Sequence, residues 1–353
     1  MPELPEVETV VRGLSRHIVG QSIKNIKILN KGSFYGTSRS ASWRTSKNKI
    51  LGLKRRGKGI IIELAKPGVA KGEDGPKGLS LLIHLKMTGQ LIYTPRSFDS
   101  TQDDKKKSRD DKKGRHSRAG GFRLWRATSP ERNPERLNLK RSVLRSTSYG
   151  GLRRLNLGHP TKDFVEEMPS SHTRVIFELS KGTLYFNDQR KFGWVKLVLT
   201  KDVEKDKFIS KLGVEPLSRS FNNDVLWQAI QRHPNSPIKS TIMDQSLVTG
   251  VGNIYSDEAL FVASIRPDRK GKTITPAENK KLASAIKKVL ELGIKHAGTS
   301  IANYKNAEGL LGRMQNYLKV YGRKNLSCPR KCGLIKNTRI GGRSAHFCPI
   351  CQK

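Results

Sequence analysis

The sequence predicts an α+β protein: an N-terminal β-sandwich flanked by helices, a helical domain behind it, and a four-cysteine ribbon at the C-terminal end. Three observations predict this. Short apolar runs of strand length, separated by turn residues, fill the first half. Beyond Leu212-Gly213-Val214-Glu215-Pro216-Leu217, which reads as a linker, the apolar period changes from strand to helix. All four cysteines fall in the last 26 of 353 residues, as Cys328-x3-Cys332-x15-Cys348-x2-Cys351. That length suffices for two modest domains, each with its own core.

The elements come in order along the chain. Val7, Val10, Val11, Leu14 and Ile18 share one face of a helix over Pro5–Ile18; Pro5 suits its first turn and Gly20 its end. Strand runs are expected at 23–29, 60–64, 79–85, 173–179, 183–186 and 194–199. The stretch from about 95 to 156 breaks the pattern. Asp-Asp-Lys-Lys occurs at 103–106 and again at 110–113, and 18 Lys+Arg stand against 7 Asp+Glu over 96–157. It reads as a disordered basic insertion, either a solvated arm with non-specific nucleic-acid affinity or a tolerated loop. After the linker, helices are expected at 223–232, 254–263 and 276–296. The last carries Leu282, Ile286, Val289, Leu290 and Ile294 at helical spacing. The expected domains are 1–212, a linker at 213–222, then 223–318 and 319–353.

Net charge is +38, from 68 Lys+Arg against 30 Asp+Glu. A surplus of that size points to a polyanion, whose condensed counterions are released on binding; a solvated surface is the plainer explanation. Cysteine confined to the last 26 residues argues against a secreted disulfide framework. The first residues carry Glu3, Glu6 and Glu8 and no basic stretch, so no signal peptide is read there. No apolar run nears the roughly 20 residues of a membrane helix. A soluble, cytoplasmic protein is expected.

Several residues carry candidate chemistry. Once Met1 is removed, Pro2 presents a secondary amine with an ordinary pKa near 8, partly neutral and nucleophilic at neutral pH. Attack on a sugar C1′ would expel a base and leave an iminium primed for β-elimination. Glu3 is placed to move protons there; an ordinary processed terminus explains the same residues. Lys58, in Arg55-Arg56-Gly57-Lys58-Gly59, can hold a phosphate, act as an acid or sit in a solvated turn. Arg190 and Phe192, in Asn187–Gly193, pair a cation with an aromatic wedge, and Met87 offers a second wedge; core packing is the alternative for both apolar residues. Gly250-Val251-Gly252-Asn253 opens a helix, so its N–H groups form a phosphate seat with Asn253 as cap or ligand, or simply a helix start. The cysteines match a structural zinc site with four thiolate ligands; the other reading is free thiols. Arg343, in Ile340-Gly341-Gly342-Arg343-Ser344, projects from the tip between the cysteine pairs.

Met1-Pro2-Glu3-Leu4-Pro5-Glu6-Val7-Glu8-Thr9, the Lys58 turn, Asn187–Gly193, Gly250–Tyr255 and the cysteine ribbon occur in order. Together they resemble the formamidopyrimidine-DNA glycosylases, bacterial 8-oxoguanine repair enzymes. The resemblance covers nearly everything outside residues 95–156. Endonuclease VIII enzymes share the Pro-Glu start but usually read Pro-Glu-Gly-Pro, and Leu4 here favours the formamidopyrimidine branch. The resemblance implies a helix-two-turn-helix domain over 223–318, a zinc finger over 319–353 with one structural Zn2+, and duplex DNA as partner of a monomeric, nucleoid-associated enzyme. It implies Pro2 as Schiff-base nucleophile, Glu3 as proton donor in base release, Lys58 as proton donor at β-elimination, and Arg343 in phosphate binding and δ-elimination. His172, Arg190, Asn235, Lys239 and Asn253 fall on DNA-contacting positions. Met87, Arg190 and Phe192 match the side chains that fill the vacated stack, and Gly298–Tyr304 resembles a loop closing over the damaged base. Three departures stand out. The first cysteine pair is C-x3-C where the family usually has C-x2-C, Asn235 replaces a common basic residue, and the insertion is extra.

The rival readings make different predictions. An endonuclease VIII-like enzyme would prefer thymine glycol to 8-oxoguanine. A catalytically silent binding protein would hold DNA without cutting it, with or without Pro2. An RNA-associated basic protein would prefer structured RNA to lesion duplex.

Overall fold

The computed structural model describes residues 1–36, 47–65, 78–96, 155–158, 168–299 and 312–353. All of these except Arg96 belong to the unit formed by Met1–Pro95 and Arg154–Lys353. Most of the expected basic insertion lies outside the described residues, as do positions 300–304 of the expected closing loop. The far edge of the insertion is corrected, because Leu155–Gly158 is a strand.

Helix α1 (Leu4–Ile18) starts one residue earlier than its spacing predicts. The Glu3 N–H donates to Glu6 Oε2 at 2.9 Å, satisfying a donor that a helix start leaves free. Gly20, at φ +83°, turns the chain away at the other end. Val7, Val10, Val11, Leu14 and Ile18 enter the sandwich core, whereas Leu4 belongs to the core of the helical half. One helix thus serves both cores.

Ten strands follow among the described residues: β1 (Ser22–Ile28), β2 (Phe34–Gly36), β3 (Asn48–Arg56), β4 (Gly59–Ala65), β5 (Leu79–His84), β6 (Gly89–Pro95), β7 (Leu155–Gly158), β8 (Thr173–Leu179), β9 (Gly182–Asp188) and β10 (Trp194–Leu199). They form one ladder in the order β2-β10-β5-β4-β3-β1-β8-β9-β6-β7, antiparallel except between β2 and β10. Val195 and Leu81 from one end of that order meet Leu91 and Phe186 from the other in a single core. The ladder therefore folds over on itself, and this makes the sandwich. Ile61, Leu82 and Val198 point to the opposite face, where Val203 and Ile209 cover them. That is why β4 is apolar on both faces.

The helical half contains α2 (Asn223–Gln231), α3 (Ile238–Met243), α4 (Asn253–Ala263) and α5 (Pro276–Lys295). At α5 the Thr275 Oγ1 accepts the Glu278 N–H at 3.3 Å, and Glu278 Oε2 accepts the Thr275 N–H at 2.9 Å, a reciprocal cap. Its Leu282, Ile286, Val289 and Leu290 are buried, as the spacing predicts. The chain ends in a hairpin, β11 (Lys336–Ile340) and β12 (Arg343–Phe347), whose Gly341-Gly342 tip takes positive φ at both positions. Cys328, Cys348, Ile335 and Val320 pack there against Phe261 of α4. Among the described residues no helix is long and apolar enough to cross a membrane.

Candidate active site

The first residues of the chain are built into the start of α4. The Leu4 N–H donates to Gly250 O at 3.0 Å. Two glycines make the approach possible: a Cβ on Gly250 would lie 2.7 Å from Leu4 Cδ1, and one on Gly252 would lie 2.4 Å from Glu3 Cδ. The buried Glu3 carboxylate accepts the N–H of Ile254 at 2.9 Å and of Tyr255 at 3.4 Å. This corrects the phosphate seat expected at Gly250–Asn253. Two of the free donors at the positive dipole end of α4, the N–H groups of Ile254 and Tyr255, already serve a carboxylate of the chain itself. Gly252 is the cap, and Asn253 is the first helical residue.

Glu6 was missed as a site residue, although its place three residues after Glu3 is the sequence mark of a capping box. Besides the Glu3 N–H, its carboxylate accepts the Tyr255 hydroxyl at 2.9 Å and the Thr299 N–H at 2.8 Å. It therefore ties α1, α4 and the segment after α5 together.

A cleft of about 560 Å3 opens beside this junction, lined by Met1, Glu3, Lys58, Met87, Asn253, Tyr321 and Arg343, among others. Lys58 occupies the tight β3–β4 turn, where Arg56 pairs with Gly59 and Gly57 takes φ +55°. Instead of facing solvent, Lys58 is only 6% exposed. Glu215 holds the turn, accepting from Arg55 Nη1 at 2.8 Å, Arg56 Nη1 at 3.2 Å and the Gly57 N–H.

The cleft shifts protons in a consistent way. Burial pushes the Glu3 carboxyl above its usual range; Lys58 and the two N–H bonds oppose this, and Glu6 adds to it. Burial also lowers Lys58, against the pull of Glu3. The Met1 α-amine falls below its ordinary 8.0 through burial, with Glu3 and Glu6 opposing, Lys58 and Arg343 assisting. Pro2 is buried directly behind it. A carboxyl that holds its proton more tightly than usual thus sits beside amines that hold theirs less tightly, a combination suited to covalent amine chemistry with acid assistance.

Both apolar wedges are surface residues, not core. Met87 is 40% exposed and Phe192 is 55% exposed, with the Arg190 guanidinium 4.8 Å from the Phe192 ring. Asp188 unites the two loops. It accepts from the Thr88 hydroxyl, from the Gly193 N–H at 2.6 Å and from the Arg190 N–H at 3.2 Å.

The remaining sites divide. His172 is partly exposed at the start of β8, and its carbonyl accepts the Asp188 N–H at 2.9 Å. Asn235 is exposed between α2 and α3. Asn253 Oδ1 is buried with no hydrogen-bond partner among the described residues. Lys239 is corrected as a DNA contact: it is 1% exposed and its ammonium is bonded internally, to Asp257. His84 was missed altogether. Its Nδ1 accepts the Lys86 N–H at 2.9 Å, and burial, with Lys86 and Lys58, pushes its pKa down to about 3. It is a neutral imidazole on a second, smaller cleft beside Lys58.

The four cysteine Sγ atoms lie within 4.8 Å of one another. Neighbouring pairs stand 3.4, 3.5 and 3.8 Å apart. Four thiolates at about 2.3 Å from one ion would be about 3.8 Å apart, so the group fits a tetrahedral metal site. The C-x3-C spacing does not disturb it. Within this knuckle Arg330 lies on the C-terminal end of α4, where its guanidinium donates to Ser264 Oγ at 2.8 Å and Phe261 O at 2.9 Å, 4.4 Å over the Phe261 ring.

The family description "Formamidopyrimidine-DNA glycosylase N-terminal domain" matches residues 1–131, and its H2TH counterpart matches 212–305. Curated relatives named formamidopyrimidine-DNA glycosylase, from Pelotomaculum thermopropionicum and Desulfitobacterium hafniense, are each 32% identical over 100% of this chain and 99% and 100% of theirs. A solved Lactococcus lactis Fpg mutant with Fapy-dG DNA is similar at TM-score 0.70 and 27% identity, covering both chains fully. The Lactococcus lactis Fpg with abasic-site DNA gives 0.69 and 26% over 99% of both. Through these matches across its whole length, the chain belongs to the formamidopyrimidine-DNA glycosylase family.

Proposed function

We propose that this protein is a base-excision-repair DNA glycosylase and abasic-site lyase, acting on 8-oxoguanine and formamidopyrimidines in duplex DNA. One observation carries the reading: the amino end of the chain, Glu3, Lys58 and Arg343 share a single cleft. With Met1 removed, the Pro2 amine attacks C1′ while Glu3 gives a proton to the departing base, whose bond electrons leave with it. Opening of the sugar leaves an iminium between Pro2 and C1′. Loss of a C2′ proton expels the 3′-phosphate, with Lys58 supplying a proton. A second elimination expels the 5′-phosphate, with Arg343 holding the phosphate. Met87, Arg190 and Phe192 fill the stack that the flipped nucleotide leaves. His172, Asn235 and Asn253 contact the DNA. The metal at the four cysteines is one structural Zn2+, which stiffens the hairpin behind Arg343.

Borohydride added to the enzyme on an 8-oxoguanine·cytosine duplex should leave a covalent protein–DNA band, and Pro2→Gly should leave none. An equal band from Pro2→Gly would remove Pro2 as nucleophile. Faster release of thymine glycol than of 8-oxoguanine would move the substrate class to oxidised pyrimidines.

A further inference from the structure

We propose that the buried Lys239–Asp257 pair positions Arg343 for the second strand cleavage, an inference that rests on the activity proposed above. The two side chains are 1% and 0% exposed, with Lys239 Nζ 2.5 Å from Asp257 Oδ1. Each also reaches the finger. Lys239 Nζ donates to Ser344 O at 2.8 Å. Asp257 Oδ2 accepts the His346 N–H at 2.9 Å and lies 3.1 Å from His346 Nδ1. Ser344 and His346 are alternate residues of β12, the strand that Arg343 begins. One ion pair therefore bolts that strand to two helices, since Lys239 is on α3 and Asp257 on α4. At the tip, a Cβ on Gly341 would lie 3.1 Å from Ser240 Oγ, so the hairpin end rests on α3 beside Lys239.

The second link runs through α4. Glu3 is bonded to Ile254 and Tyr255 in its first turn, and Asp257 is one turn from its start. The separation between the proton donor and the strand of the phosphate-binding arginine is thereby set by one turn of a rigid helix. Burying two charges is costly, and an apolar pair of similar volume would stabilise the fold as well. An apolar pair could not direct a donor at the Ser344 carbonyl and an acceptor at the His346 N–H. That directed bonding is what the charged pair supplies.

The test uses full-length Asp257→Asn, Arg343→Ala and their double variant on an abasic-site duplex, reading β- and δ-elimination products separately. Asp257→Asn should cut δ-product at least tenfold while borohydride trapping stays within about threefold of wild type. In the Arg343→Ala background it should cost nothing further, because groups acting through one another are not additive. If Asp257→Asn does not fold, Lys239→Met with Asp257→Asn removes both charges together and should show the same selective loss. A wild-type β-to-δ ratio, a parallel fall in trapping, or a loss that adds to Arg343→Ala would each overturn the proposal. If wild type itself traps no adduct, the activity reading fails instead. Positioning is then read from amide hydrogen exchange at His346, which should quicken at least tenfold in Asp257→Asn with α5 unchanged. Unchanged exchange there overturns it.

Discussion

The Glu3 carboxylate accepts the backbone N–H of Ile254 at 2.9 Å, joining residues 251 positions apart. The bond gives the acid a fixed seat and removes it from solvent in one stroke. Burial raises its pKa, while the Ile254 and Tyr255 N–H bonds at the α4 N-terminus pull it back down. An acid that must donate and recover a proton needs both influences.

Gly252→Ala tests that seat directly. Nothing in the backbone conformation at Gly252 forbids alanine, but the added Cβ would overlap Glu3 Cδ at 2.4 Å. Relief by movement should cost about 1–3 kcal/mol of stability, as overpacking does. Trapping on 8-oxoguanine duplex should fall about a hundredfold or more, well beyond what the lowered melting temperature explains. Full activity would mean that Glu3 need not sit there.

Lys58→Met should displace the pH profile of adduct formation. Lys58 lowers both the Met1 α-amine and Glu3, and its charge should act in the same direction on the Pro2 amine that Met1 removal exposes. Without it both pKa values rise. In the proposed mechanism the acid limb, set by deprotonation of the amine, moves to higher pH, and so does the basic limb, set by loss of the Glu3 proton. The whole bell should therefore shift to the alkaline side when initial trapping rates are measured across pH 5–9. A shift of either limb to lower pH would contradict the assigned electrostatics.

Phe192→Ala should leave thermal stability within about 0.5 kcal/mol of wild type, because the ring is mostly exposed. If the ring fills the vacated stack, excision of 8-oxoguanine should fall about tenfold to a hundredfold. Cleavage of an abasic site, where no base must be expelled, should fall less. Equal losses on both substrates would assign Phe192 to general DNA binding.

Arg330→Ala should cost about 1–3 kcal/mol by freeing the carbonyl end of α4, with the metal retained at one ion per chain. Cys348→Ser should instead lose the ion and unfold the finger. Differential scanning calorimetry paired with chromogenic metal release separates the two outcomes. Metal loss in Arg330→Ala would make the knuckle contact part of the metal site.

Much of this was legible in the sequence, for identifiable reasons. The stripe at Leu282–Leu290 and the runs at Ile60–Leu64 and Thr173–Leu179 bury whole faces, so their periodicity survives in one dimension. Strand β3 escaped notice because four of its nine residues are Lys or Arg, and it is ordered by neighbours on both sides rather than by its own apolarity. Short α3 has no periodicity to read. Glu3, Lys58, Arg343 and the cysteines are singled out by local motifs taken together with the family resemblance; the first three line one cleft and the cysteines cluster. Glu6 has a readable local signal only as the cap of Glu3; its bond to Thr299, and the roles of Glu215 and Asp257, depend on partners far along the chain and could not be assigned. Lys239 misled because the resemblance assigns a DNA contact by position alone, and position does not reveal its buried carboxylate partner.

Leu4 completes the helical core while the rest of α1 fills the sandwich. The two halves are consequently not interchangeable modules. A fragment from residue 213 onward would carry a leucine-sized hole in its centre and an uncapped α4. A hybrid that joins this helical half to a foreign sandwich would inherit both defects unless the first six residues travelled with it. Evolution of this architecture by domain exchange is therefore constrained at the amino end of the chain, far in sequence from the junction where the domains are spliced.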